Sequence, residues 1–169
     1  MSYQPSLYLC VFLALWAMLV GGVFKAFSEF IMTGLAKADP GSGIEAMQHI
    51  NRVVLRTEFV FAIMALAAIT PMFAAYALFA CEGAPAALIA LAAAVYVPAV
   101  FLVTMLGNVP MNDRLDALRP ASGEAARFWP RYVRRWTRLN HIRTLGCIVT
   151  GALYALAALE LGGTAEMAT

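Results

Sequence analysis

The sequence predicts an all-α fold: a polytopic membrane four-helix bundle with cytoplasmic helical extensions, in one transmembrane domain covering residues 1–169. Three observations carry this. The 169 residues are 62% hydrophobic and only 13% charged, outside the range of a water-soluble domain. Four apolar stretches, near residues 7–24, 59–80, 86–106 and 142–161, approach or exceed the roughly 20 helical residues that cross a hydrocarbon core. None of them alternates with a period of two, which disfavours a transmembrane barrel.

The loop charges set the orientation. All twelve Lys and Arg residues fall between Lys25 and Arg56 or between Arg114 and Arg143, while the 81–86 connection holds Glu82 and no base. The positive-inside rule then makes loops 37–52 and 112–140 cytoplasmic and puts both termini outside, in a multi-pass protein of the cell (inner) membrane. "MSYQPSLYLC" has no charged side chain before Leu7, so the first apolar stretch reads as a retained helix and not a cleaved signal.

Taken in order, the first helix should run past the membrane to about Leu35, with Lys25 and Glu29 forming an i, i+4 pair at the interface, until "KADPGSG" breaks it. Ser42 and Glu45 have capping-box spacing, which starts a second helix near residue 43 that can feed straight into the second span. Pro71 should kink that span, and "EGAP" makes a tight outer turn. "GNVP" should end the third span, since Gly107 and Asn108 are helix-terminating residues and Pro110 cannot continue the ladder, with Asn112 capping a short helix after it. An Arg-rich amphipathic run over 124–140 should merge with the fourth span. Cys10, Cys81 and Cys147 lie far apart without ligand spacing and read as buried free thiols.

Polar residues gather at one level of these helices. Gln48, Asn51, Leu55 and Glu58, at i, i+3, i+7 and i+10, share a face of the second helix. Trp129, Tyr132, Trp136, Asn140, Arg143 and Thr144 share one on the fourth. The third ends in Asn108 and Asn112, and the first offers Phe24, Phe27, Ser28 and Met32. Amides and a guanidinium buried in hydrocarbon must find partners, so a polar-lined pocket at the cytoplasmic end of the bundle explains them together. The competing account makes the asparagines helix caps and Trp129, Tyr132 and Trp136 an interfacial aromatic belt.

These residues also carry a resemblance. "GNVPMNDRL" with "WTRLNHIRT", and "FSEFIMTGL" and "MQHIN" upstream, are similar to the anthrone-oxygenase-like family of small integral membrane proteins, over about residues 18–150. The resemblance implies oxidation of an anthrone to an anthraquinone, and its pattern falls on Phe27, Ser28, Asn51, Asn108, Pro110, Asn112, Trp136, Asn140 and Arg143.

Oxygenation of an electron-rich phenolic ring needs a base and donors for the resulting enolate, and not necessarily a metal. His141 is one candidate base and Glu58 its rival. Arg143 and the amides of Asn51, Asn108, Asn112 and Asn140 can hold oxyanions, and Trp136 and Phe27 can sandwich a flat ring. The cofactor stays undetermined. Neither His49 nor His141 has the Glu-x-x-His spacing of di-iron bundles, which leaves a copper or haem site on those two histidines as an alternative. The partners expected are the lipid bilayer and a hydrophobic aromatic small molecule, with a homo-oligomer compatible with the pattern. Nucleic acid is disfavoured because the basic charges lie against the membrane. A different class also fits: a non-enzymatic scaffold or accessory subunit whose "RFWPRYVRRWTR" helix docks an acidic partner or anionic lipid.

Overall fold

In the computed structural model, which describes residues 4–166, every element is helical. Five continuous helices follow one another: α1 (Gln4–Lys37), α2 (Pro40–Val54), α3 (Glu58–Ala80), α4 (Ala84–Asp116) and α5 (Gly123–Glu166). Four of them, α1, α3, α4 and α5, are long and apolar enough to cross a membrane. Their outer surfaces are as apolar as their inner ones, with Leu19, Phe61, Met72, Phe79 and Leu159 all exposed, as expected of helices whose solvent is lipid.

Helix α5 packs along both α1 and α4, and α3 packs on α4, while α1 and α3 touch sparsely. With no hydrophobic driving force in lipid, small residues at the contacts let the backbones approach closely. A Cβ on Gly146 of α5 would lie 2.9 Å from the side chains of Ala99 and Val100 of α4. The turn between α3 and α4 passes through Gly83 at φ 70°, the left-handed region that glycine enters without penalty.

Several sequence expectations meet a different local structure. Asp39, not Ser42, caps α2: its carboxylate accepts from the Gly41 N–H at 3.1 Å, and Pro40 occupies the first turn, where no N–H is needed. Helix α2 does not feed straight into α3. A turn at Leu55–Thr57, closed by Arg56 N–H to Val53 O and Thr57 N–H to Val54 O, resets the helical phase. "GNVP" does not end the third span either. Helix α4 winds through two π-turns, Val97–Leu102 and Thr104–Asn108, and continues to Asp116. Pro110 is the second residue after the second π-turn, in the first turn of the resumed α-helix, where a missing N–H is tolerated. Asn112 consequently lies inside the helix and caps nothing. A third π-turn, Phe27–Ile31, interrupts α1 at the same level, and Lys25 and Glu29 pair there at 2.9 Å.

Two packed clusters result. One fills the membrane part of the bundle around Leu13, Leu66, Ile89, Tyr96, Cys147 and Tyr154. The other lies under α2, around Met32, Ile44, Met47, Leu115, Trp129, Tyr132 and Trp136. Trp129, Tyr132 and Trp136 are buried and stacked in series, with centroids 5.6 and 6.4 Å apart, so they form core and not a headgroup-facing belt. Cys10, Cys81 and Cys147 are buried free thiols.

Candidate functional site

Between the two clusters lies the polar layer, and against it a cavity of about 370 Å³ to which all five helices contribute. Phe24 and Phe27 come from α1, Asn51 and Arg52 from α2, Phe59 and Ile63 from α3, and Trp136 and Arg143 from α5. Helix α4 supplies Thr104, Asn108, Asn112, Asp113 and Asp116. The π-turns place these groups: each inserts a residue and rotates the helix beyond it, so Thr104, Asn108 and Asn112 all reach the cavity wall.

Arg143 is the centre of the layer. It is 5% exposed, and no carboxylate pairs with it among the described residues. Its guanidinium instead donates to Asn140 Oδ1 at 2.5 Å and to Thr104 Oγ1 at 3.5 Å, and lies over the rings of Phe24 and Trp136 at 4.2 and 5.2 Å. Cation–π contacts in a desolvated site contribute about 2 kcal/mol each, which offsets only part of the cost of burying a charge.

The surrounding amides are oriented by partners of fixed polarity. Asn112 Oδ1 accepts from Trp136 Nε1 at 2.9 Å and Tyr132 OH at 2.8 Å; an indole N–H only donates, so this amide turns its oxygen to the wall and keeps its N–H₂ free. Asn108 Nδ2 donates to the Trp136 carbonyl at 3.3 Å, which leaves Asn108 Oδ1 buried without a donor. Arg143 Nε is likewise buried without an acceptor. Asn51 Nδ2 reaches Tyr132 OH at 3.5 Å. Two residues of the cavity lining, Asn108 and Arg143, therefore each keep a fully buried side-chain atom without a partner, which buried polar groups rarely do.

Of the residues singled out in the sequence, Phe24, Phe27, Asn51, Leu55, Asn108, Asn112, Trp136 and Arg143 line this cavity. Ser28 and Asn140 stand behind it: Asn140 Nδ2 donates to Ser28 Oγ at 2.6 Å and to the Phe24 carbonyl while its oxygen holds Arg143. Phe27 and Trp136 are 5.8 Å apart at an interplanar angle of 54°, tilted together and not parallel walls around a ring.

Glu58 and His141 do not belong to this group. Both are exposed and neither lines the cavity. The turn at Leu55–Thr57 rotates Glu58 out of phase with Asn51, and His141, one residue after Asn140, points about 100° away from the face that Asn140, Arg143 and Thr144 share. Glu58 pairs with neither Arg143 nor Arg52; the partner of Arg52 is Asp116, at 2.8 Å. His49 is exposed as well, and among the described residues no three His, Cys, Asp or Glu side chains gather as a metal site would require. Sequence reading missed Asp113 and Asp116, which line the cavity within or just beyond the same "GNVPMNDRL" motif. It also missed that Gln48 clamps α2 to α4, donating to the Leu115 and Leu118 carbonyls at 2.8 Å.

No curated protein and no solved structure matches the chain. A family model described as anthrone oxygenase matches residues 52–153, a stretch that holds every cavity-lining residue of α3, α4 and α5. That is more than half of the 169 residues, and the chain belongs to the anthrone oxygenase family.

Proposed function

We propose that the cavity binds a flat, electron-rich hydroxylated ketone of the anthrone type and holds its ionised form for oxidation by dioxygen. The observation that carries this reading is the buried Arg143, without a carboxylate partner among the described residues, on the lining of a cavity that also holds the amides of Asn51, Asn108 and Asn112. A buried cation without a carboxylate favours an anionic ligand oxygen, and the free Asn112 N–H₂ adds a second donor to it. The Asn108 oxygen has no donor among the described residues, and a small turn of this side chain toward the cavity would let it accept from a ligand O–H. An aryl ketone with a neighbouring hydroxyl offers both, and once enolised it carries the negative charge on oxygen, where Arg143 would stabilise it.

Such an anion supplies the electrons for its own oxygenation. In overall balance one anthrone and one dioxygen give one anthraquinone and one water. The protein's part is to make the anion accessible, orient it and keep bulk water away. The basic flanks of the cavity, Arg52 and Arg114 among them, support an inner-leaflet location with both termini outside.

Titration of the detergent-purified chain with 1,8-dihydroxyanthrone, followed by Trp fluorescence and by an oxygen electrode, tests this. Saturable binding and uptake of one O₂ per molecule converted are expected, and Arg143→Met should weaken binding about 10- to 100-fold, the size of a lost charged hydrogen bond. Equal, unsaturable partitioning of the probe into wild type and Arg143→Met would leave the scaffold reading in its place.

A further inference from the structure

We propose that Asp113 is the base that ionises the substrate. This rests on the oxygenase reading above and supplies the group that starts the reaction, which neither the histidines nor Glu58 is placed to provide. A carbon acid inside the cavity must pass its proton to a group that touches it, directly or through one water.

The charged side chains on the cavity wall are Arg52, Asp113, Asp116 and Arg143. Arg143 is a buried cation that only donates. Asp116 is held by Arg52 at 2.8 Å, so its charge is offset and one of its oxygens is engaged. Asp113 has no ion pair and no side-chain hydrogen bond with the described residues, so both its oxygens are free. It lines the cavity and is also exposed, which puts it at the mouth, where a proton it accepts can pass on to water. Asp113 directly follows Asn112, the amide whose free N–H₂ would face the developing oxyanion. The acceptor of the proton and a donor for the resulting charge thus come from adjacent residues of one helix turn.

The step balances. The Asp113 carboxylate takes one proton from the CH₂ between the two rings, and the C–H electron pair moves to the carbonyl oxygen, giving an aryloxide beside Arg143. Dioxygen, the oxidant, bonds to that carbon with two of the anion's electrons and takes up one proton, giving a hydroperoxide. Loss of water, with the second hydrogen of that carbon, leaves the quinone.

Deuterium entry at the CH₂ of 1,8-dihydroxyanthrone, in oxygen-free D₂O with the full chain in detergent, isolates the first step from the oxidation. Wild type should exceed the protein-free rate, and Asp113→Asn should lower that excess by about 100-fold or more while fluorescence still registers binding. In Asp113→Ala, added formate should restore part of the rate, which a merely structural loss would not allow. An excess exchange rate in Asp113→Asn equal to wild type, with binding intact, overturns the assignment of Asp113 alone. Absence of saturable binding in wild type overturns the oxygenase reading beneath it.

Discussion

Asn140 and Arg143 stand one helical turn apart on α5, and the amide of the first fixes the guanidinium of the second. Asn140 Oδ1 accepts from Arg143 while Asn140 Nδ2 is anchored on α1 through Ser28 Oγ and the Phe24 carbonyl. One uncharged side chain thus holds a buried cation and joins two helices. Asn140→Leu should cost about 1.5–3 kcal/mol, the range for a hydrogen bond to a charged group, seen as a lower Tm in detergent. Asn140→Asp should weaken binding of an anionic ligand, because a carboxylate beside Arg143 neutralises the charge such a ligand would meet.

Arg143 itself is held by geometry and not by a counter-ion. Replacing an unpaired buried cation with an apolar side chain of similar length removes a desolvation cost. The Asn140 oxygen left without a donor offsets that gain, so Arg143→Met should stay near the wild-type Tm while losing ligand affinity. A fall in Tm by several degrees would mean that the guanidinium serves the fold.

Asn112 satisfies two buried donors at once. Asn112→Leu strands Tyr132 OH and Trp136 Nε1, at about 1–3 kcal/mol for each unsatisfied group. Adding Tyr132→Phe to Asn112→Leu should cost less than Tyr132→Phe does alone, a coupling that thermal unfolding of the four species would measure.

At the α4–α5 crossing, Gly146→Leu would force atoms into Ala99 and Val100 three residues from Arg143. Overpacking of this kind costs about 1–3 kcal/mol. It should also displace the guanidinium, so probe affinity and Tm should fall together, whereas Arg143→Met lowers affinity alone.

The orientation has its own check. In a chain without its native cysteines, a cysteine at Glu82 should react with a membrane-impermeant maleimide added outside intact cells, and one at Ala121 only after the cells are opened. The reverse pattern would move the cavity to the outer leaflet.

The same residues explain how much of the site is legible in the sequence. Polar groups stand out in apolar helices, so Asn51, Asn108, Asn112, Trp136 and Arg143 are visible by residue type, and the single face shared by Asn140, Arg143 and Thr144 by spacing. Spacing does not reveal phase. The three π-turns each add a residue to a turn without an obligatory residue type, so "GNVP" reads as a stop where the chain continues. The turn at Leu55–Thr57 carries neither Pro nor Gly, so Glu58 reads as part of a face it does not share. His141 stands out for its chemistry, although its position one residue from Asn140 turns it outward. Asp113 escapes notice because a carboxylate beyond an apolar span looks like ordinary surface until the helix carrying it is known to continue along a cavity.

Leu55 and Met105 stand on the cavity wall and are also exposed on the outside of the molecule. On the proposed reading, a solute dissolved among acyl chains would arrive sideways, without first emerging into the aqueous phase. The quantity that sets occupancy is then its mole fraction in the bilayer, so adding empty vesicles at constant total solute would dilute it and slow turnover, even with the amount of protein unchanged.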